Sequence, residues 1–347
     1  MTWAVGVHSR NIELHDTGIG ANYVDRIGIA EGIALAYSKA YRIIWCETAI
    51  GDPLLLECVF TFCGMIISMH EEDEGALPHE TRTEMLRLAA RGYTQLRHVL
   101  VQLPDADQPR ASTIARMVTQ RKHRALVLYI LLLTCWPWLS ERREPLQGGV
   151  WIRALTTTKG LTWTASTLSR AWNDLEGLGL IARTRENRLL RVTPRREDGE
   201  AEYDAPGGRT DRWNAYFILP GVFWTEEFFA RLSLPALAML LVVAKETNAK
   251  TEVWLTYENA EKWYGLKPQT AKKGLKELED EGLLHRRVEK IRAPLSPTGW
   301  TVRNWYSLTG DFGHLARRSL QKHAASERQN RLAKKSTKTT RKEASGQ

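Results

Sequence analysis

Leu175-Glu176-Gly177-Leu178-Gly179-Leu180-Ile181 and Leu278-Glu279-Asp280-Glu281-Gly282-Leu283-Leu284 carry one local instruction twice, 103 residues apart. In each copy Leu-Glu closes an apolar stripe at helical spacing: Leu168, Trp172, Leu175 and Leu178 in the first, Ala271, Leu275 and Leu278 in the second. The glycine stands where a chain leaves a helix through the left-handed region. The Leu-Ile or Leu-Leu pair after it begins a strand. Moving outward at the same offset, Thr167 falls on Thr270, Trp172 on Leu275 and Arg183 on Arg286.

Flanking segments repeat too. Ala125–Trp136, closed near Pro137, and Pro235–Lys245 both read as apolar helices. Strands are expected over Leu180–Thr184 and Arg188–Thr193, joined by Arg185-Glu186-Asn187. Two more are expected over Leu283–Ile291 and Thr301–Leu308, around a loop holding Pro294, Pro297 and Gly299. Tyr257–Tyr264 reads as a short helix and Trp151–Leu155 as a short strand. The sum is a mainly α chain with small β wings, an α+β class.

Both segments resemble winged helix-turn-helix domains, over about 124–193 and 233–309. The resemblance implies two such domains. In each, the helix before the glycine is the recognition helix and the hairpin after it is the wing. It implies readout of base edges by the exposed side of the first helix, from Ser166, Thr167, Ser169, Arg170 and Asn173. The second helix would offer Gln269, Thr270, Lys272, Lys273 and Lys276, richer in phosphate-binding charge. Arg183, Arg185, Arg188 and Arg191 of the first wing, and Arg286, Arg287, Lys290, Arg292 and Arg303 of the second, would clamp phosphate or enter the minor groove.

Charge suits that partner. The chain carries a formal net charge of +9. From Arg317 to the end there are ten basic residues against Glu327 and Glu343, so the tail holds nearly all of the excess. It is expected to be disordered when free. The four cysteines (Cys46, Cys58, Cys63, Cys135) form neither a disulfide framework nor a CxxC pair, and no metal site is expected. No GxxxxGK[ST], HExxH or GxSxG motif occurs, so no catalytic residues and no cofactor are assigned, and an enzyme is not expected. Leu54–Ile67 and Ala125–Leu139 are too short to span a bilayer, so a cytoplasmic protein is expected.

The expected organisation follows. Residues 1–68 read as an extension upstream of a natural start at Met69, with a small N-terminal domain as the alternative. Residues 69–121 are a helical lead-in. One helix spans 79–101, with a Thr81–Glu84 capping-box spacing. Leu103–Pro109 is a loop, and Ser112 caps a helix running towards Arg121. The first winged helix covers 122–195, a linker 196–214, the second winged helix 215–312 and the basic tail 313–347. The expected function is sequence-specific binding of double-stranded DNA as a transcriptional regulator. A plasmid or mobile-element replication initiator binding origin repeats is an alternative. A winged-helix scaffold for protein partners is another. A homodimer is left open, and no membrane partner is expected.

Overall fold

A computed structural model describes residues 75–104, 112–207 and 211–344, and the side chains of 332 and 334–344 are outside the description. The expectations for 1–68, for Cys46, Cys58 and Cys63, and for most of the Leu103–Pro109 loop lie outside the described residues. The chain divides into two compact units, Met1–Gly75 and Ala76–Gln347. All that follows concerns the second.

The unit is α+β, with eleven α-helices and three small antiparallel sheets among the described residues. Helix α1 (Pro78–Ala89) leads to strand β1 (Tyr93–Arg97). Helices α2 (Thr113–Thr119), α3 (His123–Leu139), α4 (Gly148–Leu155) and α5 (Ala165–Gly177) precede the hairpin β2 (Ile181–Glu186) and β3 (Leu189–Pro194). Strand β4 (Tyr216–Pro220) and two one-turn helices, α6 (Val222–Thr225) and α7 (Phe228–Arg231), follow. Then come α8 (Leu234–Glu246), β5 (Val253–Trp254), α9 (Tyr257–Tyr264), α10 (Pro268–Asp280), β6 (Leu284–Arg292) and β7 (Trp300–Leu308). Helix α11 (His314–Ala344) closes the chain. The third sheet has the order β5-β7-β6.

The internal repeat is kept residue for residue at its centre. Helices α5 and α10 are each 13 residues long and start 103 residues apart, as do β2 and β6. Gly179 (φ +75°) and Gly282 (φ +71°) both take the left-handed conformation. Leu180 N–H donates to the Leu175 carbonyl and Leu283 N–H to that of Leu278, each at 2.9 Å, which is the Schellman closure. The copies diverge at their edges. The stretch between α4 and α5 is longer than that between α9 and α10, and the second hairpin has nine-residue strands against six.

Helices α3 and α8 explain why the halves are packed together. Residues 125–135 of α3 are all buried, as are 236–244 of α8. A helix apolar around its whole circumference needs cover on every side. Three helices and a hairpin cover only part of that circumference. The rest is covered by α1, α2 and the ribbon in which β1 pairs with β4, from Tyr93 opposite Pro220 to Arg97 opposite Tyr216.

Several expectations are corrected. The 79–101 helix stops at Ala89, because Ala90 (φ +57°) and Gly92 (φ +69°) turn the chain and 93–97 become β1. Its cap is Glu80 accepting from Leu77 N–H at 2.9 Å, while Thr81 is buried and accepts from Arg153. Trp151–Leu155 is helical, since Trp151, Ala154 and Leu155 fill one face and Trp151 meets Trp172 edge-on at 5.4 Å. Pro137 does not end α3 but lies inside it, in the last turn, at the cost of the one backbone bond its missing N–H would have made. Ser112 is at the N-cap of α2 but makes no capping bond. The first hairpin turns at Asn187-Arg188, both at positive φ, a type I′ arrangement that matches the strand twist.

The expected linker is not a loose connection. Glu197 within it is fully buried against the fully buried Arg97 of β1, at 2.8 Å. Arg97 also donates to Asn214 Oδ1 and to the Asp204 carbonyl and carboxylate. Its guanidinium lies over the Tyr203 ring. The tail, for which disorder is expected when it is free, is a helix in this structure. Arg317 is buried at its start and donates to the carbonyls of Phe312, Ala244 and Thr247. A cation at the carbonyl end of α8 is well placed. The Ala, Lys, Arg and Gln content beyond it favours helix. Among the described residues no helix is long and apolar enough to cross a membrane.

Two largely but not fully buried histidines make the fold acid-sensitive. Burial, then the charge of Lys245, lowers His98 to about 4, and burial, then Arg124, does the same to His123. Between those values and the unfolded 6.5 the unfolded chain binds more protons. Stability is therefore complete above about 6.5 and is lost as pH falls. At about pH 5 the loss is on the order of 2 kcal/mol per histidine. Thermal melts should show a melting point lower by roughly 10 °C than at neutral pH. An unchanged melting point between the two conditions would refute it.

Candidate nucleic-acid interface

Each of α5 and α10 buries one stripe and leaves the other to solvent. In α5 the buried set is Leu168, Ala171, Trp172 and Leu175, and in α10 it is Ala271, Gly274, Leu275 and Leu278. Gly274 replaces the alanine of the first copy for a packing reason. A Cβ there would lie 2.3 Å from the Pro235 carbonyl oxygen, so α8 and α10 approach closely only because it is glycine.

Ser166, Ser169, Arg170 and Asn173 are exposed on α5. Thr167 is half-buried, and its hydroxyl is taken up by the helix start. Thr164 N–H donates to Thr167 Oγ1 at 2.7 Å, and Thr167 N–H donates to Thr164 Oγ1 at 3.3 Å. Thr167 is thus a capping residue, a correction to its expected place among base readers. On α10, Gln269, Lys272 and Lys273 are exposed and Thr270 is half-buried. Lys276 pairs with Asp280 at 3.0 Å.

The acids of both helices are engaged. Asp174 pairs with Lys122 at 2.7 Å, and Glu176 with Arg183. Glu277 accepts from Ser233 N–H at 2.6 Å, and Glu279 pairs with Arg286 at 3.3 Å. Glu176–Arg183 and Glu279–Arg286 are one ion pair repeated at the 103-residue offset. The Arg183 hydrogen bond holds the Glu176 carboxyl below the usual carboxylate range. All these acids lie in the second half of their helices. The first halves carry Arg170 on α5, and Lys272 and Lys273 on α10, with no carboxylate partner among the described residues. The helix macrodipole adds positive potential at the same ends.

The wing residues separate into tied and free. Arg183 bonds Asn173 as well as Glu176, Arg191 pairs with Glu186 at 2.6 Å, and Arg287 pairs with Glu252 at 2.7 Å and lies over Trp305. Arg303 lies over Trp254. Among the described residues Arg185, Arg188, Lys290 and Arg292 have no ion pair. Sequence reading missed three exposed cations: Lys267 beside the start of α10, and Arg142 and Arg143 after α3. Backbone carbonyls of the latter two accept from Arg191 of the first wing. Only the fold brings 142–143 to that hairpin, so no spacing could have pointed to them.

Comparison of the chain with family models, with curated proteins and with solved structures gives no match.

Proposed function

We propose that both halves are winged helix-turn-helix units and that the chain binds double-stranded DNA sequence-specifically, as a transcriptional regulator. One observation carries the reading. In both copies the third helix has every acid of its second half held by a partner, while its first half is cationic and open to solvent. That half is the part of a recognition helix that meets base edges and phosphates. The order helix, helix, helix, hairpin in both copies supports the same reading, as does the β5-β7-β6 sheet of the second.

Replication initiation at origin repeats is the second reading. The packing of the two halves within one compact unit favours it, because two helices at fixed separation suit one composite site of fixed spacing. The test is retention of random genomic fragments by the whole protein over a range of salt concentrations, with sequencing of what is held. A discrete enriched site is expected, with log affinity falling linearly against log salt. Its place beside a promoter or within direct repeats separates the two readings. Retention with no enriched site would sink the claim of sequence specificity.

A further inference from the structure

The second hairpin is longer than packing requires, and its two faces differ. Leu284 and Leu308, opposite each other, are buried, as is Tyr306. Beyond them the same face runs outward through Val288, Lys290 and Arg292 on β6, opposite Asn304, Val302 and Trp300 on β7. Val288, Val302 and Trp300 are each about half exposed. On the reverse face the charges are engaged: Glu252 holds Arg287, Arg303 stands opposite Glu289 and lies over the Trp254 ring, and Glu289 accepts from Trp305 Nε1 at 2.6 Å. The outward face thus combines unpaired cations with apolar side chains and has no carboxylate.

The tip is built. Ala293 N–H donates to the Gly299 carbonyl at 2.8 Å, Ser296 N–H to that of Ala293 at 2.9 Å, and Gly299 N–H to that of Ser296 at 3.0 Å. The Ser296 and Thr298 hydroxyls both donate to the Trp300 carbonyl. Pro294 and Pro297 stiffen the turn further. This frame holds Leu295 fully exposed in the turn that ends the arm. A leucine there contributes nothing to the core, and water solvates it poorly.

We infer that the β6–β7 arm kinks duplex DNA, with Leu295 as an apolar wedge pushed between base steps from the minor groove and Lys290 and Arg292 neutralising the flanking phosphates. The inference rests on the DNA-binding reading. Its chemistry is that of apolar side chains on rigid arms that unstack a step and bend the duplex by about 20–90°. Charge complementarity selects DNA over a protein partner, since the path to the tip is cationic without acids. The six-residue first hairpin turns at Asn187-Arg188 and has no apolar residue at its tip, so the activity belongs to the second arm alone.

The experiment uses the whole protein and a dye-labelled duplex of about 40 base pairs, chosen from the retained fragments, with end-to-end energy transfer reporting the bend. The wild type should shorten the end-to-end distance. Leu295→Ser should bind within about threefold of wild type yet lose at least half of the bend, and Leu295→Phe should keep it. A straight wild-type complex, or full bending by Leu295→Ser, overturns the inference while leaving DNA binding intact. If Leu295→Ser instead changes the sedimentation of the protein alone, the tip joins copies of the chain and the inference falls. Failure to retain any duplex removes the DNA-binding reading itself.

Discussion

Arg97→Met should destabilise the protein by about 3–5 kcal/mol, the range for removing one partner of a buried ion pair. The arginine and Glu197 are both fully buried, so the variant leaves a carboxylate in the interior without its cation. Burial alone already raises Glu197 above its usual range. Three other tethers fail with it, because the same guanidinium holds Asn214 and Asp204. Urea unfolding should show a lower midpoint with little change in slope. Pairing Arg97→Met with Glu197→Leu should recover a large part of the loss, because the uncompensated charge goes with the glutamate. A single variant as stable as wild type would mean that this network does not hold the 194–207 segment in place.

Lys272→Glu combined with Lys273→Glu should weaken duplex binding by on the order of 100-fold at moderate salt. These are the free cations on the open half of α10, and reversal places repulsion where the proposed interface meets phosphate. The alanine pair separates charge from shape. If each lysine meets one phosphate, the slope of log affinity against log salt becomes shallower by about 1.8. Lys276→Ala should cost less than Lys272→Ala, because Asp280 already offsets Lys276. Both sites are exposed, so the variants should melt like wild type. Unchanged affinity and slope in the double reversal would remove α10 from the interface.

The parts of the fold legible in the sequence were those set by local rules. The Leu-Glu-x-x-Gly-Leu copies located both third helices, both left-handed glycines and both following strands, because stripe spacing and a C-terminal glycine act within a few residues. The candidate site was legible to the same extent. Ser169, Arg170, Gln269, Lys272 and Lys273 lie exposed where the stripe leaves them. Which side chains are free was not legible. Arg183 and Arg286 look like open wing cations in sequence, yet each is tied to the glutamate seven residues before it. Thr167 looks like a base reader and is a cap.

The sequence by itself determined the repeated unit, its apolar stripes and the two all-round apolar helices, since each is a matter of nearest neighbours and side-chain period. Only the tertiary structure decided that β1 pairs with β4 and that Glu197 meets Arg97, partners a hundred or more positions apart. It also decided that the two halves share one body, although the polar, Gly-rich stretch between them reads as a linker. The physical reason is desolvation. A helix apolar on every side, or a carboxylate taken out of water, is stable only beside one particular partner. The choice of that partner belongs to the whole chain and is not written in either segment alone.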